Sequence, residues 1–146
     1  MHVKHVLVVD DSKSARFMLR KMLGKINLTA DLAESGEEAL TYLQANQPDA
    51  IFMDHMMPGM NGLETVEKIK ENPQTAVIPV VMYTSQDGEE YKKNVSSYGI
   101  ADILPKPASA DNLSSVVRKI NDLPEATLGQ INKTEEKQDA SNDAVQ

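Results

Sequence analysis

The sequence predicts an α/β fold of the doubly wound kind, five parallel strands with helices on both faces of the sheet. Three observations predict it. Short apolar runs alternate with stretches of helical period five times within the first 123 of 146 residues. Three of those runs are apolar almost throughout, as strands covered on both faces are. Acidic and hydroxyl residues recur directly after the runs, at the strand ends where open parallel sheets build their sites.

The first run is Val6-Leu7-Val8-Val9. It is followed by a helix whose apolar stripe is Ala15, Met18, Leu19, Met22, Leu23 and Ile26. The second run, Leu28 to Ala33, alternates Leu28, Ala30 and Leu32 with Thr29 and Asp31, which suits a half-exposed edge strand. Ser35-Gly36-Glu37-Glu38 has the form of a capping box opening the next helix. The third run, Ala50-Ile51-Phe52-Met53, leads into a loop where Pro58-Gly59 and Gly62 permit tight turns. The fourth spans Val77 to Tyr83. Pro79 is expected at its start, because proline has no N–H for the ladder. Asp87-Gly88-Glu89-Glu90 reads as a second capping box. The fifth run, Ala101 to Leu104, is short and ends in Pro105, tolerable at an edge. The last helix carries the stripe Leu113, Val116, Val117 and Ile120. With strands 2 and 5 outermost the order becomes 2-1-3-4-5, the flavodoxin-like (βα)5 arrangement.

Composition narrows the function classes. The net charge is −7, so a basic nucleic-acid surface is not expected. Cysteine is absent, which removes disulfides and thiolate chemistry. No signal-peptide pattern opens the chain, and no apolar run approaches the roughly 20 residues of a membrane helix. A soluble, cytoplasmic protein is expected. Residues 124–146 hold five acids against two lysines and are rich in Gln, Asn and Thr, with no sustained apolar period. The expected division is a folded domain over 1–123 and a disordered acidic tail or linker over 124–146.

The chemistry gathers at one rim. Strand 1 ends in Asp10-Asp11, strand 3 in Asp54, strand 4 in Thr84-Ser85, and strand 5 in Lys106-Pro107. Singly, each has an ordinary explanation as a helix cap, a turn residue or a solvated lysine. Together at four strand ends they are improbable as accidents. Two like charges about 4 Å apart repel by roughly 4 kcal/mol at an effective dielectric near 20, so grouped carboxylates require a cation. Hard oxygen ligands favour Mg²⁺, which also takes water and phosphate oxygens. A carboxylate can attack phosphorus to form an aspartyl phosphate, and this chemistry needs positioning and charge neutralisation more than a general base.

Four segments carry a family resemblance: Val8-Val9-Asp10-Asp11-Ser12, Met53-Asp54-His55-Met56-Met57-Pro58-Gly59-Met60-Asn61-Gly62, Val81-Met82-Tyr83-Thr84-Ser85 and Leu104-Pro105-Lys106-Pro107. In this order and on these strand ends the chain resembles a response-regulator receiver domain of two-component signalling, over about residues 4–122. The layout is similar to the stand-alone chemotaxis and twitching-motility regulators. The resemblance implies that Asp54 is the phosphorylated residue and that Mg²⁺ is held by Asp10, Asp11, Asp54 and the Met56 backbone carbonyl, with Asp11 as the more direct of the acidic pair. Thr84 would be the switch hydroxyl and Lys106 the lysine that pairs with the phosphoryl group, its bond to Pro107 being cis. The donor would be a histidine kinase or histidine phosphotransfer protein, and the target another protein or a missing output domain. Nucleic acid and membrane are not expected partners, and a monomer or a weak dimer on activation is expected. Apart from self-phosphorylation and slow autodephosphorylation, no enzymatic turnover is expected.

Two departures from the family pattern stand out. Ile103 occupies the position, three before the lysine, where the family usually has Tyr or Phe; a packed edge-strand residue is expected there, and Tyr83 is expected to be buried packing at the end of strand 4, a substitute relay being the alternative. Met56, two after Asp54, is expected to shield the acyl phosphate. His55 is expected to pack or face solvent, and the eight methionines to belong mostly to the core, a contact surface formed by Met56, Met57 and Met60 being the alternative for those three. Three other functions compete. An Asp-nucleophile phosphatase would place a second Asp where Met56 stands. A phosphorylation-independent pseudo-receiver would not need the complete acidic, hydroxyl and lysine set. A flavodoxin-like electron carrier would need aromatic-rich flavin loops. No P-loop, Gly-x-Gly-x-x-Gly or Gly-x-Ser-x-Gly motif is present.

Overall fold

The strands form one parallel sheet in the order β2-β1-β3-β4-β5, as the alternation of runs predicts. The computed structural model describes residues 2–86 and 88–123. The strands are β1 (His5–Val9), β2 (Thr29–Ala33), β3 (Ala50–Asp54), β4 (Val80–Thr84) and β5 (Asp102–Pro105). The helices are α1 (Lys13–Gly24), α2 (Gly36–Leu43), α3 (Gly62–Glu71), α4 (Pro73–Ala76), α5 (Glu89–Ser96) and α6 (Ala110–Asn121). The tail expectation for 124–146 lies outside the described residues, as does Asp87.

Side-chain alternation divides the core in two. Val6, Val8, Phe52, Val81, Tyr83 and Leu104 point to one face and meet Leu19 and Leu23 of α1 and Leu113 and Val117 of α6. Leu7, Val9, Ile51, Met53, Val80 and Met82 point to the other and meet Ala39 of α2, Val66 and Ile69 of α3, and Val95 of α5. Every residue of β3 and β4 is buried, which explains their unbroken apolar runs. In β2, Thr29 and Asp31 are exposed while Ala30 and Leu32 are partly covered, as expected of an edge.

Local differences have local causes. Val77 and Ile78 lie outside β4, because Pro73 starts a one-turn helix, α4, capped by the Asn72 side chain on Gln74 N–H. The strand then begins just after Pro79, whose carbonyl accepts from Ile51 N–H. Met18 is exposed rather than part of the α1 stripe, since Leu19, Met22, Leu23 and Ile26 already fill the sheet-facing arc. Ser35 caps α2 as expected, accepting from Glu38 N–H, although the Glu38 carboxylate returns to Glu34 N–H instead of Ser35 N–H. At α5 the N-cap is Gly88, with no side-chain capping bond. A full capping box occurs at α3, where Asn61 and Glu64 each accept from the other's N–H.

Candidate functional site

Three carboxylates and one ammonium converge at the carboxyl ends of β1, β3 and β5. Asp10 follows β1 and is fully buried. Its N–H donates to Ala33 O at 3.0 Å, its Oδ1 accepts from Ser12 N–H at 2.9 Å, and its carbonyl accepts from Arg16 Nη1 at 2.8 Å. The β1–α1 corner is therefore fixed from three sides. Asp54 closes β3 and is 5% exposed. Asp11, next to Asp10, is exposed, yet oxygens of Asp10, Asp11 and Asp54 all lie within 4.8 Å of one another.

Lys106 reaches over from β5. Its Nζ stands 2.7 Å from Asp10 Oδ2 and 3.1 Å from Asp54 Oδ1. The Lys106–Pro107 bond is cis, as the resemblance implies. Lys106 N–H donates to Thr84 O at 3.0 Å, tying the lysine's backbone to the end of β4. The Tyr83 ring lies beside the ammonium, 5.0 Å from centroid to Nζ, a cation–π contact. Burial pulls the Lys106 ammonium down, but Asp10 and Asp54 outweigh it and raise it above its usual range. Burial and the Asp10 carboxylate push Asp54 up to about 6, against the opposing pull of Lys106.

One ammonium against three carboxylates leaves negative charge at the rim uncompensated. Asp10 Oδ2 is fully buried and, although paired in charge with Lys106, finds no hydrogen bond of good geometry. An oxygen-only cluster with an under-satisfied buried carboxylate suits a hard divalent cation such as Mg²⁺.

Thr84 and Ile103 occupy the other side of the sheet end. Thr84 is 2% exposed, and its Oγ1 accepts from Gln86 N–H at 3.1 Å. Ile103 is half-buried in the α2/α3/α5-side core, as a packed edge residue. Tyr83 belongs to the opposite core, so it does not stand in for the aromatic missing at Ile103. Met56 is 65% exposed. Met57 is buried in the core, leaving Met56 as the exposed member of the methionine group. His55 is held in packing: its Nδ1 lies 2.8 Å from Tyr91 Oη, with ring centroids 5.2 Å apart. The sequence reading missed Tyr91. The available signal was its place one turn before Val95 on α5. Gly62 folds the β3–α3 loop back on the end of β3. Its N–H donates to His55 O at 2.8 Å, and a Cβ there would collide with the Asp54 carbonyl.

Comparison with known proteins agrees with this geometry. Residues 6–118 match the profile of the response regulator receiver domain. Protein PilH of Pseudomonas aeruginosa is 30% identical over 115 residues, covering 79% of this chain and 95% of PilH. Response regulator MprA of Mycobacterium ulcerans is 32% identical over 79% of this chain, which spans 49% of MprA. The crystallised chemotaxis protein CheY4 of Vibrio cholerae superposes with a TM-score of 0.75 at 30% identity, covering 81% of this chain and 98% of that one.

Proposed function

This chain belongs to the response regulator receiver family, and from that premise we propose that it accepts a phosphoryl group on Asp54 and relays the event by a change of conformation. The observation that carries the reading is the position of Lys106 Nζ between Asp10 and Asp54, at 2.7 Å and 3.1 Å. An ammonium so placed can offset charge on a group transferred to Asp54.

In the proposed reaction an Asp54 oxygen attacks the phosphorus of a phosphohistidine. A P–O bond forms as the P–N bond breaks, and the electron pair of that bond leaves on the imidazole nitrogen. At neutral pH Asp54 is ionised despite its raised pKa of about 6, so no general base is needed. Lys106 neutralises charge on the incoming group, and the Thr84 hydroxyl turns to donate to a phosphoryl oxygen. Asp10, Asp11, Asp54 and the Met56 carbonyl would hold Mg²⁺, which supplies further neutralisation at the phosphoryl oxygens when bound.

The donor in this reading is a histidine kinase or histidine phosphotransfer protein, and the compartment is the cytoplasm. No helix among the described residues is long and apolar enough to cross a membrane. The working unit is residues 1–123, which contains the matched span 6–118. Incubation with labelled acetyl phosphate and Mg²⁺ tests the reading. Wild type takes up close to one phosphoryl group per chain and Asp54→Asn takes up none. Equal uptake by Asp54→Asn would overturn it.

A further inference from the structure

Resting on the reading of Asp54 as acceptor, we propose that the His55–Tyr91 hydrogen bond is a latch that holds α5 against the rim and opens when Asp54 is phosphorylated.

Four observations support the latch. First, α5 is weakly anchored. Its N-cap, Gly88, provides no side-chain capping bond, and Val95 is its one buried residue. Tyr91 lies one turn before Val95, so its hydroxyl is the polar anchor of the helix's first half. Second, the other end of the bond is rigid. His55 follows the acceptor directly, and its carbonyl accepts from Gly62 N–H at 2.8 Å. A movement at the rim therefore changes the His55–Tyr91 distance instead of being absorbed by a loose loop.

Third, the segment entering α5 is bonded to Thr84, whose Oγ1 accepts from Gln86 N–H at 3.1 Å. When that hydroxyl reaches for a phosphoryl oxygen on Asp54, it moves away from Gln86, two residues before the helix N-cap. Fourth, Ile103 lies in the same core cluster as Tyr91 and carries no polar atom with which to answer a movement of Thr84. Phosphorylation also adds about −1.5 to −2 charge beside His55. Loss of the Thr84–Gln86 bond together with that charge releases Tyr91, and the first turn of α5 opens.

Amide hydrogen exchange over residues 89–96 tests this, with Mg²⁺ present and with or without beryllofluoride as the phosphoryl stand-in. In wild type, beryllofluoride should accelerate exchange about fivefold, the scale set by one lost hydrogen bond. Tyr91→Phe keeps the ring and should show the faster rate already without beryllofluoride, with no further rise. His55→Leu should match it, and the double variant should add nothing. The latch is overturned if Tyr91→Phe exchanges at the wild-type rate and responds like wild type. It is equally overturned if wild-type α5 is unresponsive although the protein takes up labelled phosphoryl from acetyl phosphate. Absence of that uptake in wild type would instead remove the receiver reading, and the latch with it.

Discussion

At Asp54 the fold holds a carboxylate in surroundings that oppose its charge, and the consequence is measurable as stability. Its pKa is 3.8 unperturbed and about 6 in the folded chain. Between those values the folded state binds the proton more tightly than the unfolded state, so stability falls as pH rises through that window. In the presence of a chelator at pH 7, Asp54→Asn should be more stable than wild type by about 3 kcal/mol. The gap should close as pH falls from about 6 to 4, and urea unfolding across that range checks it. The rim residues were legible because each is a polar residue at the end of a short run read as a strand: Asp10, Asp54, Thr84 and Lys106. Tyr91 was not, because its contact with His55 depends on where α5 docks, and no local pattern encodes that. The exposure of Met56 was hidden for a similar reason: a loop methionine has no period from which a direction can be read.

Two elements carry consequences of their own. Helix α1 starts at the rim and presents Phe17 and Met18, 44% and 57% exposed, on its solvent side. Arg20 and Lys13 stand 4.9 and 5.6 Å from the Phe17 ring centroid. Under the proposed function, an apolar patch edged with positive charge on the helix that follows Asp10 and Asp11 suits docking of a protein donor. Phe17→Ala should slow transfer from a phosphohistidine protein about tenfold, the effect of one interface anchor. Uptake from acetyl phosphate should be unchanged, and parallel time courses with the two donors check this. The β3–α3 loop carries the second consequence. Gly62→Ala would press a methyl group into the Asp54 carbonyl and His55. It should destabilise the chain by about 2 kcal/mol, read by thermal or urea unfolding, and should lower phosphoryl uptake by displacing Asp54. Strand positions were readable from the runs, whereas α4 was not: four residues beginning with a proline are too short for helical period to show. The Asn61–Glu64 box was readable in principle, since Asn-x-x-Glu before an apolar stripe is a start signal.

Over the whole molecule, the strand order follows from burial. Strands apolar throughout go to the centre, and the alternating β2 and short β5 go to the edges. That order brings β1, β3 and β4 side by side with β5 next to β4, so residues up to 96 positions apart meet at one rim: Asp10, Asp54 and Lys106. The parity of the strands then separates two roles. Asp10, Asp54, Tyr83 and Lys106 cluster at the rim on the side of α1 and α6, where the phosphoryl group would be gained. Thr84, Ile103 and Tyr91 lie on the side of α5, from which the signal would leave. The central step of the proposed function is the bond between phosphorus and an Asp54 oxygen. Borohydride reduction of the phosphorylated chain, followed by peptide mass spectrometry, tests it most directly, because an aspartyl phosphate is reduced to homoserine. Homoserine is expected at position 54 and at no other aspartate. Homoserine elsewhere, or a phosphoryl group that survives on another residue with position 54 unchanged, would contradict it.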